Sequence, residues 1–460
     1  MRMGGSFPAG RSKHATIGPG TRPACYHPTW MRIDLVLSTN QTYRDAVARG
    51  RPFASYAPTT LSLLAALVPP ELGATVRSHD LTLQPDPPPG ADLLAISAIT
   101  CGAPHAYRLA DEARARGTTV VIGGAHATAL PDEAALHADA VVVGYGERSW
   151  PRLLRDRAAG RLQPRYVDFD DPFTGPPVVP DRRHAAGRGY FITSTLESSR
   201  GCSNACSFCT VSCLTAGQLH RRPTDAVLRE TAGLPRRVVF LDSNFADDLA
   251  AVGPLWLGLR AQRKQVFAAV TMRLAEDPVA LKQAADCGLV GALIGLESVN
   301  EGATRGAAKG FNQPARYVEA VARLHDHGVR VLGCFAFGLD GDDASVFERT
   351  VELADRARID IVRYSIVTPL PGTRLLADLE AQGRIVDRDW ERYDTEHAVF
   401  RPAGMTAQQL HDGYRWAYRQ TYRAGSIWRR LAGRHFMPVT LAANLGFRDI
   451  AYHADQGPGG

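Results

Sequence analysis

No apolar run in this 460-residue chain approaches the roughly 20 residues that a membrane-spanning helix needs, so no stable membrane insertion is expected. The first thirty residues, rich in Gly, Pro and Arg, lack the continuous apolar segment of a signal peptide; they read as a disordered tail, or as an upstream start ahead of Met31. No Lys/Arg block interleaved with aromatics occurs in the interior, and a net charge of +6 over this length gives no footing for nucleic acid. An anionic cofactor or substrate is reason enough for it. The eight cysteines, three of them clustered, do not resemble a disulfide framework in so long a chain and suggest a reducing, cytoplasmic setting. A second C-x-x-C or H-x3-H pair that would close a zinc site is missing, and so is the G-x-G-x-x-G spacing of a dinucleotide site.

What is present is one short stretch, Ser199-Arg200-Gly201-Cys202-Ser203-Asn204-Ala205-Cys206-Ser207-Phe208-Cys209-Thr210, with a C-x3-C-x2-C spacing directly after a β-like run. Three thiolates are a natural donor set for an iron–sulfur cluster. A cubane held by three cysteines keeps one iron open, as a catalytic cluster requires. Cys213, four residues past Cys209, is either a further ligand or a buried small residue.

The length calls for two or three domains. From Met31 short apolar runs alternate with amphipathic stretches, the pattern of a parallel α/β domain. Strands are expected at 33–37, 75–79, 93–99, 119–122 and 140–143, with helices at 59–67, 104–116 and 147–158. Five strands with alternating helices predict a doubly wound, Rossmann-like sheet that binds ligands at its carboxyl edge. Two glycine loops fall at that edge: Gly123-Gly124-Ala125-His126-Ala127-Thr128, followed by Pro131-Asp132-Glu133-Ala134, and Gly144-Tyr145-Gly146-Glu147. They are either ligand-approach loops or merely tight turns. Residues 170–188, dense in Pro, Asp and Arg, read as a linker.

A second alternating series follows, with strands expected at 191–196, 237–241, 266–271, 291–296, 329–337 and 361–367. Six β/α units predict a partial (β/α)6, TIM-like barrel whose site lies at the carboxyl ends of its strands. Asp242-Ser243-Asn244, Thr271-Met272-Arg273, Glu297-Ser298 and Asp340 follow successive strands there, in phase with the cysteine loop. Arg363, Tyr364 and Cys334 on the late strands either face a substrate or are packed structure. An aromatic, basic helix at 410–430 is expected to close the core. The organisation predicted is a tail at 1–30, a first domain at 31–165, a linker at 166–189, a barrel at 190–375 and a helical C-terminal region at 376–460.

With Phe208 before the last cysteine, the Cys202, Cys206, Cys209 motif resembles that of the radical SAM superfamily. The two glycine loops resemble the cobalamin-binding domain preceding the barrel in one large branch, whose members include methyltransferases. Gly295-Leu296-Glu297-Ser298 and Pro369-Leu370-Pro371-Gly372-Thr373 match that branch as well, so the likeness spans about 31–430. The resemblance implies that Cys202, Cys206 and Cys209 hold a [4Fe-4S] cluster whose open iron chelates S-adenosyl-L-methionine (SAM). It places Phe208 near the adenine, Glu297 on the ribose or amino group with Ser298 beside it, and Asp242 and Asn244 as further polar contacts. Gly123, Gly124, His126, Gly144, Gly146 and Glu147 would line a cobalamin site.

The chemistry implied is one-electron cleavage of SAM, hydrogen abstraction from an unactivated carbon of a small-molecule biosynthetic intermediate, and methyl transfer by way of cobalamin. The electron would come from a donor such as flavodoxin or ferredoxin. Cyclisation or rearrangement without methyl transfer is the alternative, and a non-catalytic iron–sulfur carrier a third. One departure is visible: the Asp-x-His-x-x-Gly of histidine-ligated cobalamin is replaced after the first strand by Ser38-Thr39-Asn40-Gln41-Thr42. Axial ligation by that motif is therefore not expected. His126 is the nearest alternative, with a turn histidine bonded to backbone as its competing role.

Overall fold

The computed structural model describes residues 1, 31–39, 56–187, 189–433 and 438–453. The tail at 2–30, Asn40, Gln41 and Thr42 of the loop after the first strand, and Arg188 of the linker lie outside the described residues. The first sheet comprises β1 (Arg32–Leu37), β2 (Thr75–Asp80), β3 (Leu93–Ser97), β4 (Thr119–Gly123), β5 (Ala140–Gly144) and β6 (Arg165–Asp168), all parallel. Runs such as Thr119-Val120-Val121-Ile122 and Ala140-Val141-Val142-Val143 are apolar without alternation because both faces of a parallel sheet are covered by helices. The sixth strand corrects the expected five: it comes from the junction toward the linker, where Tyr166 is buried and the intervening residues are exposed.

The strand order is β2-β1-β3-β4-β5-β6, so the chain reverses direction between β1 and β3. Ligands of doubly wound sheets lie in the crevice at that reversal. Here it is formed by Ser38 and Thr39 after β1 and by the Thr100–Gly102 turn after β3, with Ile99 exposed on its lip.

The second sheet is a parallel, sequential array of β7 (Thr195–Leu196), β10 (Arg237–Phe240), β11 (Gln265–Val270), β12 (Leu289–Glu297), β13 (Arg330–Phe337) and β14 (Ile361–Ile366). Between its first two members a short antiparallel ladder, β8 (Ser199–Arg200) with β9 (His220–Arg221), closes the loop that carries the cysteines. The first barrel strand is shorter than expected. Phe191 projects into solvent, and Ile192 makes only an isolated bridge to Tyr56.

The C-terminal region packs helices Arg374–Ala381, Ala407–Thr421, Ala424–Leu431 and Pro438–His453 onto the barrel. The single helix expected over 410–430 is two, broken where Arg423 turns to an extended conformation. The break lets Tyr418 and Tyr422 seal the open edge of β14. Each hydroxyl accepts from one strand N–H, Tyr364 or Val362 (3.1 Å each), and donates to the same residue's carbonyl (3.0 and 2.5 Å). Unpaired edge groups are a liability that covering side chains remove. No helix among the described residues is long and apolar enough to cross a membrane.

Tyr422→Phe leaves a buried N–H and carbonyl of Val362 without partners. Urea unfolding should show a loss of about 1–3 kcal/mol with secondary structure retained.

Candidate active site

The cysteine loop is fixed at its stem and at its middle. At the stem, Asp242 after β10 is almost fully buried and accepts from Ser198 N–H (3.0 Å), Ser198 Oγ (2.6 Å) and Ser199 Oγ (2.6 Å). Burial pushes its carboxyl up, against the lowering effect of these bonds. In this structure the Asp242 carboxylate holds the turn that launches the loop. In the middle, Ser207 N–H donates to Ala307 (3.1 Å) and its carbonyl accepts from Leu375 N–H (2.9 Å). Phe208 packs in the cluster of Ala303, Ala307, Leu339 and Phe400, so it anchors the loop on the barrel.

Cys202, Cys206 and Cys209 carry free thiols, partly accessible. Burial above all pushes Cys206 up to about 11, with Cys209, Glu297 and Cys202 adding to it and Lys309 opposing. Among the described residues no three of His, Cys, Asp and Glu close around one point as ligands of a single ion do. A cubane spaces its thiolate ligands around a larger body, and three thiols on one loop beside an ammonium suit its donor chemistry. Cys213 is raised by burial alone, with no contribution from the other thiols. Its Sγ sits where a Cβ on Gly372 would go, with Ala129 of the first domain beside it, which makes it an interdomain packing residue.

Facing the thiols is an ion pair half legible in the sequence. Glu297 ends β12 at a register shift and adopts φ +68°, a left-handed conformation uncommon for a non-glycine residue. Asn312 Nδ2 bonds the Gly295 carbonyl (2.7 Å) and Tyr317 OH the Leu296 carbonyl (2.7 Å), which hold the bulge. The Glu297 carboxylate meets Lys309 Nζ, and both lie over Gly295, where any Cβ would intrude on them. Burial pulls the Lys309 ammonium down, but Glu297, Cys206 and Cys209 outweigh it and hold it above its ordinary range. Sequence reasoning missed Lys309. The available signal was composition: only four of the 53 basic residues are lysines.

Ser298 is buried and donates to Asp342 (2.8 Å) while accepting from Asn300 N–H (3.0 Å), so it braces the loop after β12. Asn244 donates to Asp247 (2.7 Å), which also accepts from Ser203 and from Cys202 Sγ (3.6 Å); the Asn244 amide oxygen has no partner. Asp340 is drawn outward to Arg384 (2.7 Å), and Arg273 lies over the Phe311 ring (4.6 Å). Cys334 and Arg363 are register neighbours on β13 and β14, whereas Tyr364 faces the helices, bonded to Thr421 (2.7 Å).

At the edge of the first sheet the sequence-predicted contacts change meaning. His126 is wholly enclosed by Tyr107, Trp390 and Glu133, with Nε2 3.1 Å from Glu133 and Nδ1 unpartnered. It faces no open crevice, and its bond is to a carboxylate, not to backbone. A Cβ on Gly124 would press on Ala98, and one on Gly144 would clash with the Asp168 carbonyl; both glycines have positive φ. Gly123 and Gly146 sit against Val142 and Leu64. Gly124 and Gly144 thus answer to the chain's own close approach, whereas Gly123 and Gly146 have room for a small side chain. Glu147 accepts from Arg200 (2.8 Å), two residues before Cys202. At the β1/β3 reversal Ile99 is exposed, while Ser38 and Thr39 are buried and Ser38 Oγ accepts from Ile99 N–H (3.3 Å); the strand order that marks this crevice could not be read from sequence.

Burial pushes the Asp342 carboxyl up to about 6, against the lowering effect of the Ser298 bond. A carboxyl raised in the fold contributes stability below the ordinary carboxylate range, and that stability is lost as the pH rises through the folded value. Asp342→Asn does not titrate, so thermal scans should show it gaining on the wild type between about pH 4 and pH 8, by at most about 3 kcal/mol.

Comparison with known proteins agrees with this layout. Residues 89–154 match the B12 binding domain model and 196–354 the radical SAM superfamily model. The chain is 29% identical over 356 residues to bacteriochlorophyllide d C-12(1)-methyltransferase of Chlorobaculum tepidum, covering 75% of this chain and 78% of that one. It is 28% identical to the C-8(2)-methyltransferase of the same organism, over 67% and 73%. The radical S-adenosylmethionine methyltransferase TsrM of Kitasatospora setae, solved with cobalamin and a [4Fe-4S] cluster, shares the fold with a TM-score of 0.60 at 15% identity, over 77% and 75%. With the three-cysteine loop at the carboxyl edge of a six-stranded parallel barrel behind a flavodoxin-like sheet, the chain carries a B12 binding domain followed by a radical SAM superfamily domain.

Proposed function

We propose that the protein is a cobalamin-dependent radical SAM enzyme that transfers a methyl group from SAM to an unactivated carbon of a small-molecule biosynthetic intermediate. The observation that carries this reading is the Glu297–Lys309 pair set over Gly295 and facing Cys206 and Cys209, at the barrel edge turned toward the B12-binding domain. Two relatives matched over most of their length are named as methyltransferases. When bound, a three-cysteine [4Fe-4S] cluster supplies the electron that splits SAM, and cobalamin supplies the methyl carrier.

The chain's own part is placement. Cys202, Cys206 and Cys209 hold the cluster, and the ammonium of Lys309 offsets their charge. Glu297, aimed by its bulge, accepts from the amino or ribose groups of SAM. Asn244, held by Asp247, offers its unused amide oxygen to the same ligand. The β1/β3 crevice takes the corrinoid. A flavodoxin or ferredoxin in a cytoplasmic setting supplies the electrons.

Protein from cobalamin-fed cells should carry corrinoid absorbance. Reconstituted anaerobically with SAM, reductant and a panel of biosynthetic acceptors, it should release 5′-deoxyadenosine and S-adenosylhomocysteine together. Deoxyadenosine without S-adenosylhomocysteine across the panel sinks methyl transfer. Cys206→Ala should lose both products, and retention of either overturns the cluster assignment.

A further inference from the structure

Arg200 lies between the cysteine loop and the first domain. Its Nη1 donates to Glu147 (2.8 Å) at the start of helix Gly146–Ala158, and its Nη2 to Glu197 (2.7 Å) in the turn ahead of β8. Its guanidinium carbon is 5.4 Å from the Tyr145 ring centroid and 5.5 Å from that of Phe173. Burial pulls the guanidinium down, but Glu197 and Glu147 outweigh it and hold it well above its ordinary range. The turn that supplies Glu197 is the one Asp242 pins through Ser198 and Ser199. Tyr145 and Glu147 flank Gly146 on the loop after β5, and that loop is locked to β6 because Tyr145 N–H donates to the Asp168 carbonyl (2.7 Å). A rigid path therefore runs from the first sheet through one side chain to a point two residues before Cys202.

We propose that Arg200 is a positioning residue that sets the separation and tilt of the corrinoid-bearing sheet relative to the cluster loop, with Glu147 and Glu197 as its two seats. Both seats are needed. A planar guanidinium held by carboxylates from two domains fixes a direction as well as a distance, which a point charge does not. The two aromatic rings flank the guanidinium and add a cation–π attraction. The proposal deepens the cobalamin reading given above and rests on it.

The test uses the full chain loaded with cobalamin and cluster and reduced so that Co(II) and the cluster each carry one unpaired electron. Electron paramagnetic resonance then reads their mutual spin–spin splitting, which depends steeply on separation and needs neither substrate nor turnover. In the wild type the splitting should be resolved. Glu147→Gln, nearly isosteric, and Arg200→Met should each weaken or smear it while cofactor occupancy, read by absorbance and iron content, stays full. The double variant should change it no further than Arg200→Met alone, because both remove one joint. Unchanged splitting in both single variants at full occupancy overturns the proposal alone. A wild type that takes up no cobalamin overturns the cobalamin reading and the proposal with it. Should Arg200→Met fail to fold, Glu147→Gln decides the matter.

Discussion

A guanidinium mostly enclosed and shared by two carboxylates is one of the joints at which the two halves of this protein meet. Such a group is costly to bury, and it is stable there only because both carboxylates and both flanking rings are in place. Its location follows from topology. Parallel strands all end on the same edge, so each sheet delivers its loops to one side, and ligands collect there. Arg200 stands where the carboxyl edge of the first sheet meets the loop leaving the first barrel strand, and the cysteines follow immediately.

Polar groups around the site divide by whether their bonding capacity is spent. Asp242 is saturated by two serines, Ser298 by Asp342 and Asn300, and Glu133 by Tyr107, His126 and Trp390 (3.1 Å each). These are scaffolding, and Glu133 in particular ties the C-terminal segment to the first sheet. Against them stand three free thiols, an ammonium beside them, a strained glutamate aimed by a bulge and an amide oxygen with no partner. A buried donor or acceptor left unmade is expensive, and these groups stand together at the carboxyl edge of the barrel.

That division also explains what was legible in the sequence. Strand positions in both sheets were readable within a few residues because parallel strands advertise themselves as short apolar runs. The cysteine loop was readable because thiol spacing is local. Roles set by distant partners were not. Asp242, Ser298, Glu147 and the four glycines look like ligand-loop residues in one dimension. Only the fold shows that Ser198, Asp342 and Arg200 bond the first three, and that backbone presses on Gly124 and Gly144. Lys309 was missed for the converse reason: it lies twelve residues beyond Glu297, across a short helix, and the two meet only when the bulge turns Glu297 back.

The partial barrel raises a problem that the remaining chain solves. A six-stranded array does not close on itself, so both of its edge strands present unpaired backbone groups. At β14 the hydroxyls of Tyr418 and Tyr422 and the Thr395 carbonyl, which accepts from Ile366 N–H (2.7 Å), take those groups in turn. At β7 Arg182 Nη2 donates to the Thr195 carbonyl (2.8 Å), and the first domain adds cover, with Ala57 accepting from Thr195 Oγ1 (2.8 Å) and donating to the Ile192 carbonyl (2.8 Å). The C-terminal helices and the first domain thus act as lateral seals on an incomplete barrel. With its sides sealed, the polar rim at the carboxyl ends is left to face the first sheet, and the same segment that closes β7 also helps to hold that sheet over the cysteine loop.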